Sequence, residues 1–289
     1  MIKFHLPDFY YFYDINMFFA DNIKNNPDKF IDDISIGSFY GSFPGMNWNG
    51  GRCCQGITDK GNITNTINSI NSCGIPVRFT LTNVLIDEHL LYDPYCNMIL
   101  EIAHNGKNEI LVNNKMLEEY LRNKYPNFKY ISSTTKCIMD IDKFNEELEN
   151  YYLVVLDYRK NTDKDFLKAI KHKDKTEILI NAYCSPTCNK REEHYKYLSQ
   201  CQLDQEPINC SFCNTLSHSF QESLKLDSVI KVDNLYNYYV KQGFTNFKIE
   251  GRTLHPIDVI DSYVYYMVKP EYRDEIRNEV VKTFWNFWR

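Results

Sequence analysis

Residues 176–183 read TEILINAY, where apolar side chains follow one another with little of the strict alternation of a half-exposed strand. Near-continuous apolar runs are typical of strands in a parallel sheet, because both faces of such a strand are buried. Other β-rich runs recur along the chain, and stretches with helical spacing separate them, as at Ile63, Ile67 and Ile70. This alternation predicts an α/β fold built on parallel strands.

Eight runs are predicted as strands: 34–43, 74–83, 108–114, 128–134, 152–158, 176–183, 226–234 and 245–252. Helices are predicted over 59–73, 90–105, 115–126, 142–151, 163–173, 235–244, 257–267 and 271–288. Pro126 and Gly243 are expected to stop helices, Asp163 to cap one, and Pro256 to occupy a first turn. Eight strands separated by helices predict a (β/α)8 TIM-barrel-like single domain, a fold that typically takes ~250 residues. An open doubly wound α/β sheet is the alternative, because a sequence does not show closure.

Two segments depart from this alternation. Residues 184–225 form a Cys-rich insertion with little regular pattern, and residues 256–289 form a C-terminal helical segment. We therefore interpret 1–289 as one barrel-like domain that carries these two additions.

Charge and hydropathy exclude some classes of function. The net charge of −5 argues against a broad surface that binds nucleic acid through its phosphates, although a local basic groove stays open. The aromatic N-terminus lacks a basic segment followed by an apolar stretch, so it does not resemble a signal peptide. No run reaches the ~18 apolar residues of a membrane-spanning helix. We expect a cytoplasmic protein with no membrane partner.

Ten cysteines are present, and half of them fall within residues 184–213. Disulfides are rare in a reducing cytosol, so this concentration favours metal binding. Cys184 and Cys188 form a C-x3-C pair directly after the strand at 176–183, and Cys210 and Cys213 form a C-x2-C pair. Four thiolates from two such pairs suit either a [4Fe–4S] cluster or tetrahedral zinc, and the spacing does not choose between them.

Other assignments of the cysteines stay open. All four can be inert thiols, since free cysteine is commonly a small core residue. Cys201 can replace one of the four ligands. Cys53 and Cys54, adjacent in a Gly-rich loop, are interpreted as packing residues because neighbouring cysteines rarely chelate one ion together.

Residues at the carboxyl ends of the strands are candidates for binding and catalysis, because ligands bind there in barrels and in open α/β sheets. Arg78 and Asn83 are predicted to position a substrate. Glu250 and Arg252 are two apart on one predicted strand and share a side of it. Arg252 can clamp a carboxylate or phosphate, while Glu250 can orient that arginine or act as a base. A structural ion pair at the barrel end is the alternative.

His194 is a further candidate for chemistry. It follows Arg191 by three residues, so the two would share a helix face. The imidazole can be a metal ligand, an acid–base group or an ordinary helix-face residue.

Two segments carry a resemblance to a known family. EILINAYCSPTC at 177–188 and TNFKIEGRTLHPIDVIDSYVYY at 245–266 resemble the strand-plus-cysteine and "KIEGR" segments of the collagenase-like peptidase family. The resemblance implies a TIM-barrel-like catalytic domain. Several relatives look like iron–sulfur proteins that hydroxylate RNA bases or quinone precursors, with four cysteines holding a [4Fe–4S] cluster. The family's Gly-rich, Arg-rich segment is replaced here by KREEHYKYLSQ at 190–200, so the substrate is not carried over.

Three functions follow from these patterns. The first is an iron–sulfur redox enzyme that acts on a small or RNA- or peptide-borne substrate at the barrel mouth. The second is a zinc-stabilised hydrolase or peptide-processing enzyme, although neither an HExxH helix nor a GxSxG turn is present. The third is a non-catalytic, metal-stabilised barrel that binds a protein partner or a second copy of itself. Its interface would use aromatic residues that otherwise pack helices: Tyr236, Tyr238, Tyr239, Tyr263, Tyr265, Tyr266, Trp285 and Trp288.

Overall fold

The computed structural model, which describes residues 1–209, 219–252 and 254–284, contains a closed barrel of parallel strands. The strands follow one another around the barrel in chain order: β1 Ile2–Pro7, β2 Ile34–Gly41, β3 Val77–Leu81, β4 Glu109–Val112, β5 Lys129–Ser132, β6 Leu153–Val155, β7 Thr176–Leu179 and β8 Asn246–Lys248. β8 pairs with both β7 and β1, which closes the sheet. The predicted (β/α)8 TIM-barrel-like fold is confirmed, and the open sheet is wrong.

Two of the strand assignments need correction. The first strand, β1, was missed because its apolar residues merge with the aromatic run that follows. The run at 226–234 is not a strand of the barrel. Val229 makes one isolated bridge to Asn181, and a helical segment begins at Val232. Its apolar pattern reflects burial beside the end of β7, where Ile230 donates a backbone hydrogen bond to the carbonyl of Ile180.

Helices surround the barrel. The α-helices are α1 Tyr13–Asn25, α2 Lys60–Ser72, α3 Pro94–Ala103, α4 Lys115–Lys124, α5 Ile141–Asn150, α6 Lys164–Ala169, α7 Arg191–Asp204, α8 Phe220–Ser223, α9 Val232–Asn234, α10 Pro256–Met267 and α11 Arg273–Phe284. Asp163 caps α6 by accepting a hydrogen bond from the Phe166 amide, and Pro256 begins α10, as predicted. The predicted helix at 235–244 is a π-helical turn, Leu235–Tyr239, and a 3₁₀ turn, Val240–Gln242, ended by Gly243.

Helix α7 lies within the segment that was predicted to have little regular structure. It was missed because its buried face is largely polar and includes Arg191, Ser199 and Gln202. Such a face gives no amphipathic pattern of the usual kind. Tertiary contacts with the barrel mouth therefore stabilise this helix more than its own apolar stripe does.

The aromatic residues considered for an interface pack mainly within the protein. Tyr263 and Tyr266 are completely buried and Tyr239 is nearly so, while Tyr236, Tyr238 and Tyr265 pack partly buried against the same core. These contacts support helix packing as their role. Trp285 and Trp288 lie outside the described residues.

The inside of the barrel is apolar on one side and charged on the other. Four residues of neighbouring strands form the apolar side: Leu111, Ile131, Leu153 and Val155. The main core lies between the strands and the helices. No helix in the described parts of the chain is both long and apolar enough to cross a membrane.

Candidate active site at the carboxyl end of the barrel

A cavity lies at the carboxyl ends of the strands and opens to solvent. Its lining includes five residues predicted from the sequence as site residues: Cys184, Cys188, His194, Glu250 and Arg252. It also includes residues outside this set of candidates: Tyr40, Arg52, Tyr158, Tyr195 and Lys248. The cavity occupies the position at which TIM barrels bind their ligands.

A Gly-rich loop after β2 forms one wall of the cavity. At Gly50 a Cβ atom would lie 2.4 Å from the carbonyl carbon of Thr82, so only glycine lets the loop pack against the end of β3. Gly51 adopts a φ of +73°, in the left-handed region that favours glycine. This close packing brings the next residue, Arg52, into the cavity.

Asn83 anchors the same loop but does not line the cavity. Its completely buried amide donates hydrogen bonds to the carbonyls of Asn47 at 2.8 Å and Ser199 at 3.3 Å. Its side-chain oxygen accepts a hydrogen bond from the Leu85 amide at 2.9 Å. Asn83 therefore joins the Gly-rich loop to α7, and the structure places it behind the wall of the cavity.

Glu250 pairs with Arg52. One carboxylate oxygen accepts a hydrogen bond from the Arg52 guanidinium, and the other accepts one from the Tyr183 amide at 3.3 Å. Both side chains are mostly shielded from solvent, so the pair is stronger than an exposed one. Glu250 was predicted either to orient Arg252 or to act as a base. It does orient an arginine, but that arginine is Arg52.

Arg252 is held by neutral oxygens. Its guanidinium donates hydrogen bonds to the Thr80 hydroxyl at 2.9 Å, the Asn49 amide oxygen at 3.2 Å and the Gly50 carbonyl at 3.4 Å. Among the described residues no carboxylate lies within ion-pair distance of Arg252. Its charge is therefore available to an anion in the cavity.

A second cationic group lies beside the turn that carries the cysteines. Asp157, whose side chain is completely buried, binds Arg159 through both carboxylate oxygens at 2.9 Å and Arg191 at 2.5 Å. Arg159 also donates to the Cys188 carbonyl at 3.1 Å, which fixes the turn that carries the cysteine pair. Two guanidiniums share one carboxylate, and one of them, Arg191, lines the cavity.

Arg78 lies below the cavity and does not line it. It is completely buried inside the barrel, where Nε binds Glu109 at 2.7 Å and Nη1 binds Glu177 at 2.5 Å. Nη2 lies 2.9 Å from Nδ1 of His5. Burial alone would raise the pKa of Glu177, but Arg78, His5 and Lys248 together lower it to about 2. The structure therefore gives Arg78 a place in a buried charge network and does not bring it to the substrate cavity.

Lys248 connects this network to the cavity floor. Nζ lies 3.6 Å from Oε1 of Glu177 and 3.9 Å from the centre of the Tyr40 ring. The alternation Lys248, Glu250, Arg252 places all three residues in the cavity lining. That alternation was visible in the sequence and would have identified Lys248 as a site residue.

His194 and Arg191 both face the cavity from the first turn of α7, which confirms that they share a helix face. The His194 ring is half-buried and stacks parallel to Tyr195, with ring centres 6.3 Å apart. Burial lowers the pKa of His194, and the charges of Arg52 and Arg191 lower it further. At neutral pH the ring is therefore a neutral imidazole that can accept a proton.

The cysteine pairs divide between described and undescribed parts of the chain. Cys184 and Cys188 line the cavity, whereas Cys210 and Cys213 lie outside the described residues. Cys201 is buried in α7, where its carbonyl lies 3.5 Å from the sulfur of Cys53. In the part of the chain that the structure describes, no three His, Cys, Asp or Glu side chains form a metal-binding group.

The donor chemistry of the cavity fits a thiolate-bound centre. Cys184 and Cys188 would supply two of the four sulfurs that zinc or a [4Fe–4S] cluster takes. Both centres carry net negative charge when four thiolates bind them, and the surrounding arginines compensate such a charge. Cys210 and Cys213 would have to supply the other two sulfurs.

Comparisons with known proteins show a likeness in fold. No protein-family model matches the chain, and no curated protein matches it. A solved structure, described as that of the U32 peptidase Mk0906, is similar with a TM-score of 0.52 and 10% sequence identity. The similarity covers 87% of this chain and 94% of the other. U32 peptidases are the collagenase-like family, so the likeness supports the sequence resemblance at the level of the fold.

Proposed function

We propose that the chain is an iron–sulfur redox enzyme of the collagenase-like peptidase type, which acts on an anionic substrate at the barrel mouth. Cys184 and Cys188, with Cys210 and Cys213, would hold a [4Fe–4S] cluster. One observation carries the proposal: Cys184 and Cys188 line the same cavity as Arg252 and His194. A cluster there would lie beside the substrate, as electron transfer between them requires.

The charges of the cavity support an anionic substrate. Among the described residues Arg252 has only neutral hydrogen-bond partners, and Arg191, which lines the cavity, shares the carboxylate of Asp157 with Arg159. Arg252 would bind a carboxylate or phosphate through its planar fork of donors. The substrate would be a small molecule, or a group that is carried by RNA or by a peptide.

Each remaining residue has a role that its contacts suggest. Glu250 holds Arg52 in the wall of the cavity. His194, neutral at neutral pH, would accept or return a proton of the substrate. Tyr158 and Arg159 hold the turn that carries the cysteines, through the carbonyls of Ser185 and Cys188. When bound, the cluster would supply one-electron redox chemistry.

The test is the metal content of protein purified without oxygen. We expect about four irons and four sulfides per chain, with a broad absorption band near ~400 nm. C184S and C188S are expected to lose iron and colour. C73S is the matched control, because Cys73 is exposed at the end of α2, outside the cavity lining.

The outcomes separate the candidate functions. Iron that survives in both C184S and C188S contradicts the ligand assignment. Absence of both iron and zinc from anaerobic wild-type protein contradicts metal binding altogether.

A zinc-stabilised peptidase is the second candidate, and the similar solved structure favours it because it is described as a peptidase. In that case one zinc and no colour are expected, with zinc lost in C184S and C188S. Hydrolysis of a peptide library by the zinc protein would then replace the redox proposal.

A further inference from the structure

Lys248 has an unusual position for a lysine. It is the last residue of β8, its side chain is 7% exposed, and it reaches the floor of the cavity. The contact between Nζ and Glu177 Oε1, at 3.6 Å, is longer than an ordinary hydrogen bond. The Tyr40 ring covers another side of the ammonium, 3.9 Å from its centre. The amine is therefore enclosed by protein but open toward the cavity.

The groups around Lys248 disfavour its charged form. Arg78 and Arg252 are cations, His5 is neutral because its pKa is lowered to about 3, and Glu177 is already paired with Arg78. Tyr40 stays a neutral phenol because burial raises its pKa. Burial first, and then the charges of Arg78 and Arg252, lower the pKa of Lys248 to about 7 against the opposing effect of Glu177.

We propose that Lys248 is a reactive amine that forms an imine with a small anionic aldehyde or 2-oxo acid, whose carboxylate binds Arg252. Nζ of Lys248 and the guanidinium of Arg252 lie over the same Tyr40 ring, at 3.9 and 5.9 Å from its centre. Both side chains line one cavity. A short ligand with a carboxylate next to its carbonyl therefore meets an anion-binding group and an amine together.

The reaction needs no oxidant or metal. The lone pair of neutral Nζ attacks the carbonyl carbon, and the carbonyl π pair moves to oxygen, which takes a proton from the nitrogen. The resulting carbinolamine loses water, so amine and carbonyl give an imine and one water. Oε1 of Glu177, buried and without a hydrogen bond from the described residues, would stabilise the protonated imine. The inference does not depend on the proposed cluster.

The test is trapping of the imine in the full chain. Glyoxylate is added at pH 7 with cyanoborohydride, whose hydride converts the imine into a stable secondary amine, and peptide mass spectrometry locates the product. At pH 7 an ordinary lysine is neutral in only one molecule in ~10³, whereas a lysine with a pKa near 7 is about half neutral. We expect Lys248 to react at least ~10-fold faster than Lys115, which is 90% exposed.

Two further measurements test the role of Arg252. R252M is expected to slow trapping of both aldehydes at Lys248, because loss of the Arg252 charge leaves less of the amine neutral. Glyoxylate, which also loses its carboxylate partner, is expected to be slowed roughly 10-fold more than neutral acetaldehyde, the effect of about 1.4 kcal/mol. Inorganic phosphate added to the wild-type protein is expected to compete with glyoxylate and not with acetaldehyde, which gives a readout that does not depend on the folding of a variant.

Several outcomes would overturn the inference. The first is that no product forms at Lys248, and the second is that Lys248 and Lys115 are labelled equally. The third is that glyoxylate reacts no faster at Lys248 than acetaldehyde does. Iron is measured in the same preparations. Trapping in protein without iron supports the amine and contradicts the cluster, whereas iron without trapping contradicts the amine alone.

Discussion

The guanidinium of Arg52 donates a hydrogen bond to the carboxylate of Glu250, a residue 198 positions later in the chain. This contact joins the Gly-rich loop after β2 to the segment after β8. It also separates Glu250 from Arg252, which binds Thr80 and Asn49 instead. The two residues share a side of their segment, as predicted, but contact different neighbours in the barrel.

Loss of the Glu250 charge should destabilise the cavity wall. E250Q keeps the shape of the side chain but leaves the largely shielded Arg52 without a counter-charge. We expect the free energy of unfolding to fall by about 1.5–3 kcal/mol, as for other hydrogen bonds to charged groups. Urea denaturation measures the change. E119Q is the control, because the Lys115–Glu119 pair on α4 is exposed and should contribute nothing measurable. Equal effects of the two substitutions would contradict a special role for the Arg52–Glu250 pair.

Removal of the charge should affect mainly stability at Arg78 and mainly anion binding at Arg252. R78M leaves Glu109 and Glu177 buried without their cation, so it should cost about 3–5 kcal/mol or prevent folding. Within the described parts of the chain, R252M breaks hydrogen bonds to neutral groups, so it should cost about 1 kcal/mol, while anion binding in the cavity is lost. Denaturation and phosphate binding by calorimetry measure these effects. A stable R78M protein that has lost phosphate binding would return Arg78 to the substrate site.

Acid should destabilise the barrel through His5. His5 is completely buried against Ser38, Arg78 and Asn246, and burial followed by Arg78 lowers its pKa to about 3. The unfolded chain takes up this proton below pH ~6.5 and the folded chain does not, so stability falls as pH drops from about 6.5 to 3. The slope contributed by one such group is at most about 1.4 kcal/mol per pH unit. Below about pH 4.5 Glu177 adds to the loss, because its folded pKa is about 2.

The variant H5N removes this titration. Its stability should change less than that of the wild-type protein between pH 6.5 and 4.5, measured by urea denaturation at each pH. H89N is the control, since His89 is exposed and outside the buried network. A pH dependence that is unchanged in H5N would mean that another group controls the acid sensitivity.

Glycine at position 50 should be essential for the geometry of the cavity. An added Cβ would meet the backbone of Thr82 at 2.4 Å and the amide nitrogen of Asn83 at 2.6 Å, and backbone atoms yield little. We expect G50A to cost about 1–3 kcal/mol, the usual range for overpacking, and to weaken phosphate binding by displacing the Gly50 carbonyl and Arg52. G61A, in the exposed first turn of α2 and outside the cavity lining, is the control and should leave phosphate binding unchanged. Unaltered binding in G50A would show that the loop does not shape the site.

The sequence revealed most barrel strands because each is buried on both faces and therefore rich in apolar residues, even where one charged residue such as Arg78 points into the barrel. It failed at β1, whose pattern merges with an aromatic helix, and at 226–234, where burial beside β7 imitates a strand. Helix α7 was missed since polar residues such as Gln202 form its buried face. In each case a tertiary contact replaced the local pattern on which the prediction depended.

The candidate site was predicted in part for the same reason. Alternation along the segment after β8 places Glu250 and Arg252 on one side, and the cysteines directly follow β7, so the cavity receives all four. Arg78 lies near the start of β3, deeper inside the barrel than the strand ends, where it pairs with Glu109. Depth within a barrel depends on the stagger of neighbouring strands, which a single sequence does not display.

The sequence by itself determined that this chain builds parallel strands separated by helices, and that cysteines and charged residues follow the ends of β7 and β8. Those properties are local, because burial and backbone geometry dictate residue type at each position. Only the tertiary structure decided that Arg52 meets Glu250, that Arg78 is enclosed with Glu109 and Glu177, and that Lys248 reaches the cavity floor. These contacts join residues far apart in the chain, and closure of the barrel brings them into reach of one another.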